Sequence, residues 1–590
     1  MFFTEQDFKM VEAATLSGKT FNPKQREFIE LVESKYIIAG PGAGKTTALS
    51  AKIVLLLLNS MRTNQREGIC IITKTNVAVE EINRILRNVG QSKMKHPHFI
   101  GTIHQFFNTY LATPYIKKVL NPKRIRFGKE EDYTSLLNEL AERNVYFKNW
   151  KDAPRNIAVQ KTSKSKLMFD KSSNNFFLEN TTEWDKFDRH GKHMFNLKWN
   201  LKKLGFFSFE DIFLFSTAAI EDKKTLSLLR KRFRYIFIDE FQDTNSSSIE
   251  LVNRIFKYPD NVLQFIGDPN QTLDFDGEMP VVDELNVFEL NICNRFGNQI
   301  GKQLSHIIHD VNIKCLDNRQ SFNPLLLIYK TKENLIPHYK KIFNKYLSDE
   351  DFASVKKKDS ILAIQNNTID EFQKNLATRI SPGFKAKSSE SYTKQILSQL
   401  HDVLLNNISL AKKHDLKLPD WLNEHPDYKN LKIYLVRSIK SRKLEVEQIV
   451  NHLNNLIEEK EGQKITTRAR VFQNIAAIIE QIGKKTSIEK IDDFHVFSTI
   501  HSAKGETHRS VLLIDSENDK HSKIHTTLLK SYFCEERENI SDYWVQRNLL
   551  YVAMSRPTHL FAFGMDINFI TDEEIELFRE KGWDIEFTNE

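Results

Sequence analysis

Short apolar runs, each closed by a small or polar cluster, recur along two separate stretches of this 590-residue chain. The first series is 36–38, 69–73, 99–102, 235–238 and 262–266; the second is 325–329, 361–364, 496–498, 511–515 and 560–563. Runs this brief and this uniformly apolar read as strands buried on both faces, the mark of parallel sheets. Helices are predicted over 47–58, 77–86 and 549–556. The pattern as a whole predicts an α/β fold. Over 111–203 and 379–490 the sheet signal fades. Val446, Ile449, Val450, Leu453, Leu456 and Ile457 keep helical spacing there, as do Phe472, Ile475, Ile478, Ile479 and Ile482, which predicts packed helices. The polar, lysine-rich stretch 163–175 is expected to be a mobile loop, and the acidic last twenty residues a peripheral end.

Length adds that one core cannot serve the whole chain, so several domains are expected. A formal net charge of +8 leans towards a polyanionic partner. Within 111–203, Lys117, Lys118, Lys123, Arg124, Arg126, Lys161, Lys164 and Lys166 alternate with Phe127, Tyr133, Phe147 and Trp150. That mixture suits either a nucleic-acid face or ordinary solvated charge. Cys70, Cys293, Cys315 and Cys534 show no metal-binding or disulfide spacing, which fits a reducing cytoplasm. The start lacks a basic region followed by an apolar core, and the longest aliphatic run, 53–58, is far short of a membrane span. A soluble, cytoplasmic protein is expected, with no membrane partner.

The chemistry concentrates where strands end. After the run at 36–38 come Ala39, Gly40, Pro41, Gly42, Ala43, Gly44, Lys45 and Thr46, then a helix. A glycine turn between strand and helix aims backbone N–H groups into one concavity that can cradle phosphate. Lys45 can reach the outer phosphates, and the Thr46 hydroxyl can ligate Mg²⁺. The apolar strand at 235–238 delivers Asp239 and Glu240, one suited to hold the metal and the other to activate water. Gln25, before the loop, offers a donor and an acceptor that could read adenine. Polar clusters Lys74-Thr75-Asn76 and Ile103-His104-Gln105 also follow strands, beside the phosphate loop.

In order along the chain, these stretches resemble the UvrD/PcrA/Rep-like DNA helicases of superfamily 1, with motifs spread from Phe21 to Arg556. The resemblance implies two RecA-like P-loop domains with parallel sheets, each carrying a mainly helical inserted subdomain. Their expected bounds are 1–110 with 204–290, insert 111–203, then 291–378 with 491–590, and insert 379–490. It implies ATP and Mg²⁺ as cofactors and single-stranded or duplex DNA as partner. Gln25 matches the adenine-reading glutamine, Gly44, Lys45 and Thr46 the phosphate loop, and Asp239 and Glu240 the metal and water-activating acids. Gln271 matches the glutamine that couples the γ-phosphate to DNA, Arg295 and Arg556 the arginines reaching that phosphate from the second domain, and Glu506 the acid near the ribose. Thr75, Asn76, Thr102, His104, Phe275, His501 and Ser502 fall in motifs lining the single-strand track. Lys74, Asn294 and Asp276 depart from the family's aromatic, tyrosine and arginine, and Glu506 falls one position early. Two activities follow. One is an ATP-dependent single-stranded DNA translocase and helicase of 3′→5′ polarity, in DNA repair or anti-phage defence. The other is a DNA-sensing ATPase subunit that regulates a partner nuclease, as in Gabija-type systems with an OLD-family nuclease.

Overall fold

The computed structural model describes residues 3–588 apart from 17, 65, 74–75, 90–93, 95, 180–187, 274–281, 283, 309–312, 317–319, 366–367, 370–371, 373–395, 398, 402, 405–406, 409–420, 423–424, 442–445, 467–471, 473–474, 476–494, 516–523 and 536–543. Its strands, in chain order, are β1 Lys35–Ala39, β2 Gly68–Ile72, β3 Phe99–Gly101, β4 Arg126–Gly128, β5 Leu167–Asp170, β6 Asn175–Leu178, β7 Phe206–Ser208, β8 Phe233–Asp239, β9 Val262–Gly267 and β10 Val287–Leu290. They continue with β11 Ile292–Cys293, β12 Lys314–Cys315, β13 Leu325–Tyr329, β14 Asp359–Ala363, β15 His495–Thr499, β16 His508–Ile514, β17 Pro557–Asp566 and β18 Asp584–Phe587.

Two six-stranded sheets organise them, in the orders β10-β1-β9-β8-β2-β3 and β15-β14-β16-β17-β13-β18. Every pairing within both sheets is parallel. Each sheet is sandwiched between two apolar cores, which is why strands such as β2, β13 and β16 are buried along their whole length. A parallel sheet gathers the carboxyl ends of its strands on one edge, where ligands bind. On the first sheet that edge carries the turn after β1, the acids ending β8 and the polar segment after β9.

The region between β3 and β8 builds a separate core from Tyr133, Leu137, Phe147, Leu197 and Leu201. Tyr133 and Phe147, aromatics in the cation-rich stretch, therefore serve packing. Residues 163–175 correct the loop expectation. The helix Asp152–Lys164 covers their start, and β5 and β6 pair antiparallel across a turn in which Asp170 accepts from Ser172 and Ser173. Local side-chain capping orders a stretch whose composition suggested disorder. The acidic end is likewise integrated: the helix Asp572–Glu580 buries Phe578, and β18 adds an edge strand to β13.

Within 379–490 the described helices are Pro426–Ser441 and Val446–Glu459, and the latter buries Ile449, Val450, Leu453, Leu456 and Ile457 as its spacing predicts. Phe472 and Ile475 are also buried, while Ile478, Ile479 and Ile482 lie outside the described residues. No helix among the described residues is long and apolar enough to cross a membrane.

Candidate nucleotide site at the seam of the two sheets

The turn after β1 is held open from both sides. Gly40 N–H donates to Leu290 O (3.0 Å), continuing the β1–β10 ladder, and Ala43 N–H donates to Gly40 O (3.2 Å). Gly42 and Gly44 adopt φ of 73° and 74°, the left-handed region that side chains resist. Space forbids a side chain too: a Cβ on Gly42 would sit 2.5 Å from Arg295 Cβ and 2.8 Å from Cys293 Sγ. The helix Lys45–Thr63 then starts, so its unpaired N–H groups face the turn. Gln25 braces this loop from behind. Its Oε1 accepts from Asn22 N–H (3.0 Å) in a capping box, and its Nε2 donates to Ala43 O (2.9 Å).

Lys45 Nζ lies 2.6 Å from Glu240 Oε1 and 3.7 Å from Asp239 Oδ1. Burial pulls the lysine's pKa down, but the two carboxylates outweigh it and leave the ammonium more basic than usual. Burial and the neighbouring Glu240 raise Asp239, against Lys45, to about 6. Glu240 is pushed up by burial, yet Lys45 and Gln242 bring it down to about 2. Glu240 also holds φ of 53°, a costly left-handed conformation for a residue with a side chain. Gln242 Nε2 fixes its carboxylate by donating to Oε2 (2.5 Å). Asp239 Oδ1 is buried without a hydrogen-bond partner, an oxygen whose chemistry suits a hard divalent cation. The donor set of Asp239 and Thr46 therefore fits Mg²⁺.

Cations reach this edge from beside the second sheet, Arg556 just before β17 and Arg295 just after β11. Arg556, 1 % exposed, follows the helix Trp544–Met554. Its guanidinium donates to Gln271 Oε1 (3.1 Å), Val552 O (3.0 Å) and Ser555 Oγ (2.9 Å), all neutral acceptors. Burial, then repulsion from Arg295, lowers its pKa to about 9. Arg295 packs against Gly42 and donates to Ser555 O (2.7 Å), and burial lowers it as well. Among the described residues neither guanidinium has a carboxylate within ion-pair distance. Gln271 completes a chain inward, since its Nε2 donates to Asp268 Oδ2 (2.7 Å), and Asp268 N–H donates to Gln242 Oε1 (3.2 Å). Phosphate loop, acids, glutamine and both arginines thus meet in one network.

Several seam residues were not singled out from the sequence. Lys504 pairs with Asp243 (2.7 Å), Arg547 donates to Asn270 (3.2 Å), and Asn548 donates to Thr272 O (3.0 Å). Gln242 and Asp243 follow Asp239-Glu240 after Phe241, and Asp268 opens the turn holding Gln271, so nearness to assigned acids was the available signal. Glu506 is turned from the site: its side chain is 57 % exposed and reaches His508 (3.4 Å), while Thr507 lines the cleft. That cleft, about 530 Å³, runs from Gly42, Gly44, Asn294 and Arg295 towards Thr558 and His559.

The predicted DNA-track residues are only partly gathered. Thr102 caps the helix Ile103–Phe107, and His104 is exposed with its ring against Phe213 (4.8 Å). His501 reaches across the seam to Leu273 O (3.4 Å), and Ser502 is held by Thr499. Thr75 and Phe275 lie outside the described residues, as do Lys74 and Asp276, and so does the side chain of Asn76.

A strand–glycine turn–helix that opens onto paired acids, with guanidiniums supplied across a seam, defines a P-loop nucleotide-binding protein. Residues 21–273 match the UvrD/REP helicase N-terminal domain. Similar proteins include the ATP-dependent DNA helicase Rep of Buchnera aphidicola subsp. Schizaphis graminum, 25 % identical over 43 % of this chain and 37 % of that protein. DNA helicase II of Haemophilus influenzae is 24 % identical over 43 % of this chain and 34 % of its own length. The Rep helicase of Escherichia coli K12 is 25 % identical over 39 % and 33 %. The chain is therefore similar to UvrD/Rep-like helicases over its first part, and it spans about a third of the length of these relatives.

Proposed function

We propose that this chain is an ATP- and Mg²⁺-dependent motor that translocates on single-stranded DNA and unwinds duplex with 3′→5′ polarity, in DNA repair or anti-phage defence. The observation that carries the reading is the pair Arg295 and Arg556, desolvated beside the phosphate loop with only neutral acceptors. A buried cation without a carboxylate partner is costly and suits an anion that arrives there. Planar guanidinium forks on a γ-phosphate are worth about 10³–10⁵ in rate.

The roles follow from position. Lys45 takes the outer phosphates, Thr46 and Asp239 hold the metal, and Glu240 orients and deprotonates the attacking water, its carboxylate aimed by Gln242. The metal, when bound, neutralises charge on the phosphate oxygens. Gln271 touches Arg556 and, through Asp268 and Gln242, the base, so it reports the state of one lobe to the other. In this reading 1–110 with 204–290 and 291–378 with 491–590 are RecA-like lobes, and 111–203 and 379–490 are their inserts. Because the arginines come from the second lobe, hydrolysis requires the seam to close, which ties turnover to lobe motion. Thr102, His104, His501 and Ser502 would meet the single strand along the edge beside this seam. Opening each stacked DNA step costs about 1.4 kcal/mol, so motion must be coupled to turnover.

Glu240→Gln tests the assignment. Nucleotide binding should persist while DNA-stimulated hydrolysis falls by about 10²–10⁴; undiminished hydrolysis would overturn it. Strand displacement by the wild-type chain tests the motor itself. Hydrolysis without displacement until a nuclease partner is added would replace it with a DNA-sensing regulatory subunit.

A further inference from the structure

The ladder β11–β12 places Cys293 directly opposite Cys315. Neighbouring strands run about 4.8 Å apart, within the roughly 4.4–6.8 Å of Cα separation that a disulfide spans. The two thiols are close enough to influence each other's ionisation. Each sulfur also sits in a notch that only glycine leaves open. A Cβ on Gly42 would come 2.8 Å from Cys293 Sγ, and one on Gly301 would come 2.6 Å from Cys315 Sγ. The Arg295 N–H donates to Cys293 Sγ (3.3 Å).

These neighbours separate Cys293 from the other cysteines, its partner Cys315 being pushed up by Cys293 itself and by burial. Burial pushes the Cys293 thiol up, but Cys315, the N–H groups of Phe296 and Arg295, and the Arg295 charge bring it down to about 7. Burial instead raises Cys70 well above the usual thiol range, and Cys534 to about 11. A thiolate beside a cation and a second thiol is the arrangement that oxidises selectively. The position matters because Asn294 and Arg295 come next in the chain, and Asn294 N–H holds Gly42 O (2.8 Å). Whatever moves Cys293 moves the arginine and the phosphate loop together.

We propose that Cys293 and Cys315 form a reversible disulfide that disables the nucleotide site when the protein meets a peroxide. The disabling effect rests on the hydrolytic reading above; the bond itself does not. The Cys293 thiolate attacks one peroxide oxygen, the O–O bond breaks, hydroxide leaves, and a sulfenic acid forms. The Cys315 sulfur then attacks the Cys293 sulfur, gives up its proton, and expels the sulfenic oxygen as water. In sum two thiols lose two electrons and two protons, and peroxide becomes two waters. Cys293 is 1 % exposed behind Gly42 and Arg295, which line the cleft, so the oxidant must pass residues that a bound nucleotide would cover.

The full chain, reduced, is treated with hydrogen peroxide, with and without Mg²⁺ and a non-hydrolysable ATP analogue, then alkylated and mapped by peptide mass. The expected product joins Cys293 to Cys315, leaves Cys70 and Cys534 alkylated, and forms more slowly with the analogue bound. Hydrolysis should fall by about a hundredfold, the cost of slightly misplacing a reacting group, and recover in dithiothreitol. In Cys315→Ser no disulfide can form, and peroxide inactivation should then resist dithiothreitol, because Cys293 proceeds to sulfinic acid. Alkylation of both cysteines after peroxide overturns the bond, and a cross-linked protein that hydrolyses ATP at the reduced rate overturns the control. A reduced protein without hydrolysis would count against the motor reading, while the peptide map would still decide the thiol pair.

Discussion

Lys202 and Arg556 are both cations sealed from solvent, and the protein treats them in opposite ways. In the helical region between β3 and β8, Lys202 Nζ meets Asp211 at 2.6 Å and Glu130 at 3.1 Å. Burial lowers its pKa, but those two carboxylates overcome the loss and raise it. At the seam, Arg556 has no carboxylate in reach among the described residues, and its pKa falls to about 9. Both sites cost desolvation energy; only one is offset from within the fold. A compensated buried charge holds helices together. An uncompensated one at a phosphate loop is fitted to a ligand's charge.

The sharpest way to break this comparison is to remove each cation with a side chain of similar length. Arg556→Met should cut DNA-stimulated hydrolysis by about 10³–10⁵ while nucleotide still binds. Its unfolding midpoint in urea should move less than that of Lys202→Met. If hydrolysis survives, Arg556 is a structural residue and the distinction fails. Lys202→Met should instead lose about 3–5 kcal/mol, because it strands the buried Asp211 without its cation, while Glu130 keeps Lys198 (3.3 Å). Denaturant unfolding measures the loss, and hydrolysis per folded molecule should be unchanged. A rate defect in folded Lys202→Met would mean that the helical region is wired into the site.

A finer cut separates charge from capping. Asp211 serves twice: Oδ2 receives Lys202 and also the Ser208 N–H (2.7 Å), closing a capping box on the helix Phe209–Ala219. Ser208→Ala removes the reciprocal bond to Asp211 N–H and leaves the ion pair. It should cost only about 1 kcal/mol by urea unfolding. A loss as large as that of Lys202→Met would show that the cap, rather than the charge, carries the stability.

The contrast between regions also explains what the sequence revealed. Strands sandwiched by helices must be apolar throughout, so β8 and β13 are legible as short unbroken runs. The phosphate loop and Asp239-Glu240 are legible because their chemistry needs particular residues at fixed places after a strand. Residues 163–175 read as a mobile loop because Lys164, Lys166, Lys171, Ser172 and Ser173 face water, although Asp170 capping and the β5–β6 pairing order them and Ser163 and Ser165 are buried. The C-terminal twenty read as peripheral because β18 is an edge strand with Asp584 and Glu586 along it, which hides the buried Phe578 and Trp583. Lys504, Arg547 and Asn548 were illegible for a different reason. Their partners Asp243, Asn270 and Thr272 lie more than two hundred residues earlier in sequence, and nothing local marks such a pairing. Glu506 shows the limit of motif matching, since its carboxylate faces outward to His508 and Thr507 lies on the cleft.

The smallest effect concerns a charge between these extremes. Asp7 is buried, but its partner Arg62 is 56 % exposed, and they meet at 2.7 Å to tie the helix Glu5–Leu16 to the end of the phosphate-loop helix. The Arg62 hydrogen bond, against burial and aided by Thr4, holds the Asp7 carboxyl down to about 2 from the usual 3.8. A carboxyl that is more acidic when folded stabilises the fold above its unfolded pKa, and the contribution disappears as pH falls through the folded value. The Asp7 share of stability should therefore be constant near neutrality and drain between about pH 4 and pH 2. Comparing wild type with Asp7→Asn by urea unfolding across that range isolates it: the difference should shrink on acidification and shrink further with added salt, because the guanidinium is open to solvent. A difference that stays level with pH would mean that Asp7 contributes as a cap on Thr4 alone, and that among these three cations only those withdrawn from water have their charge read by the fold.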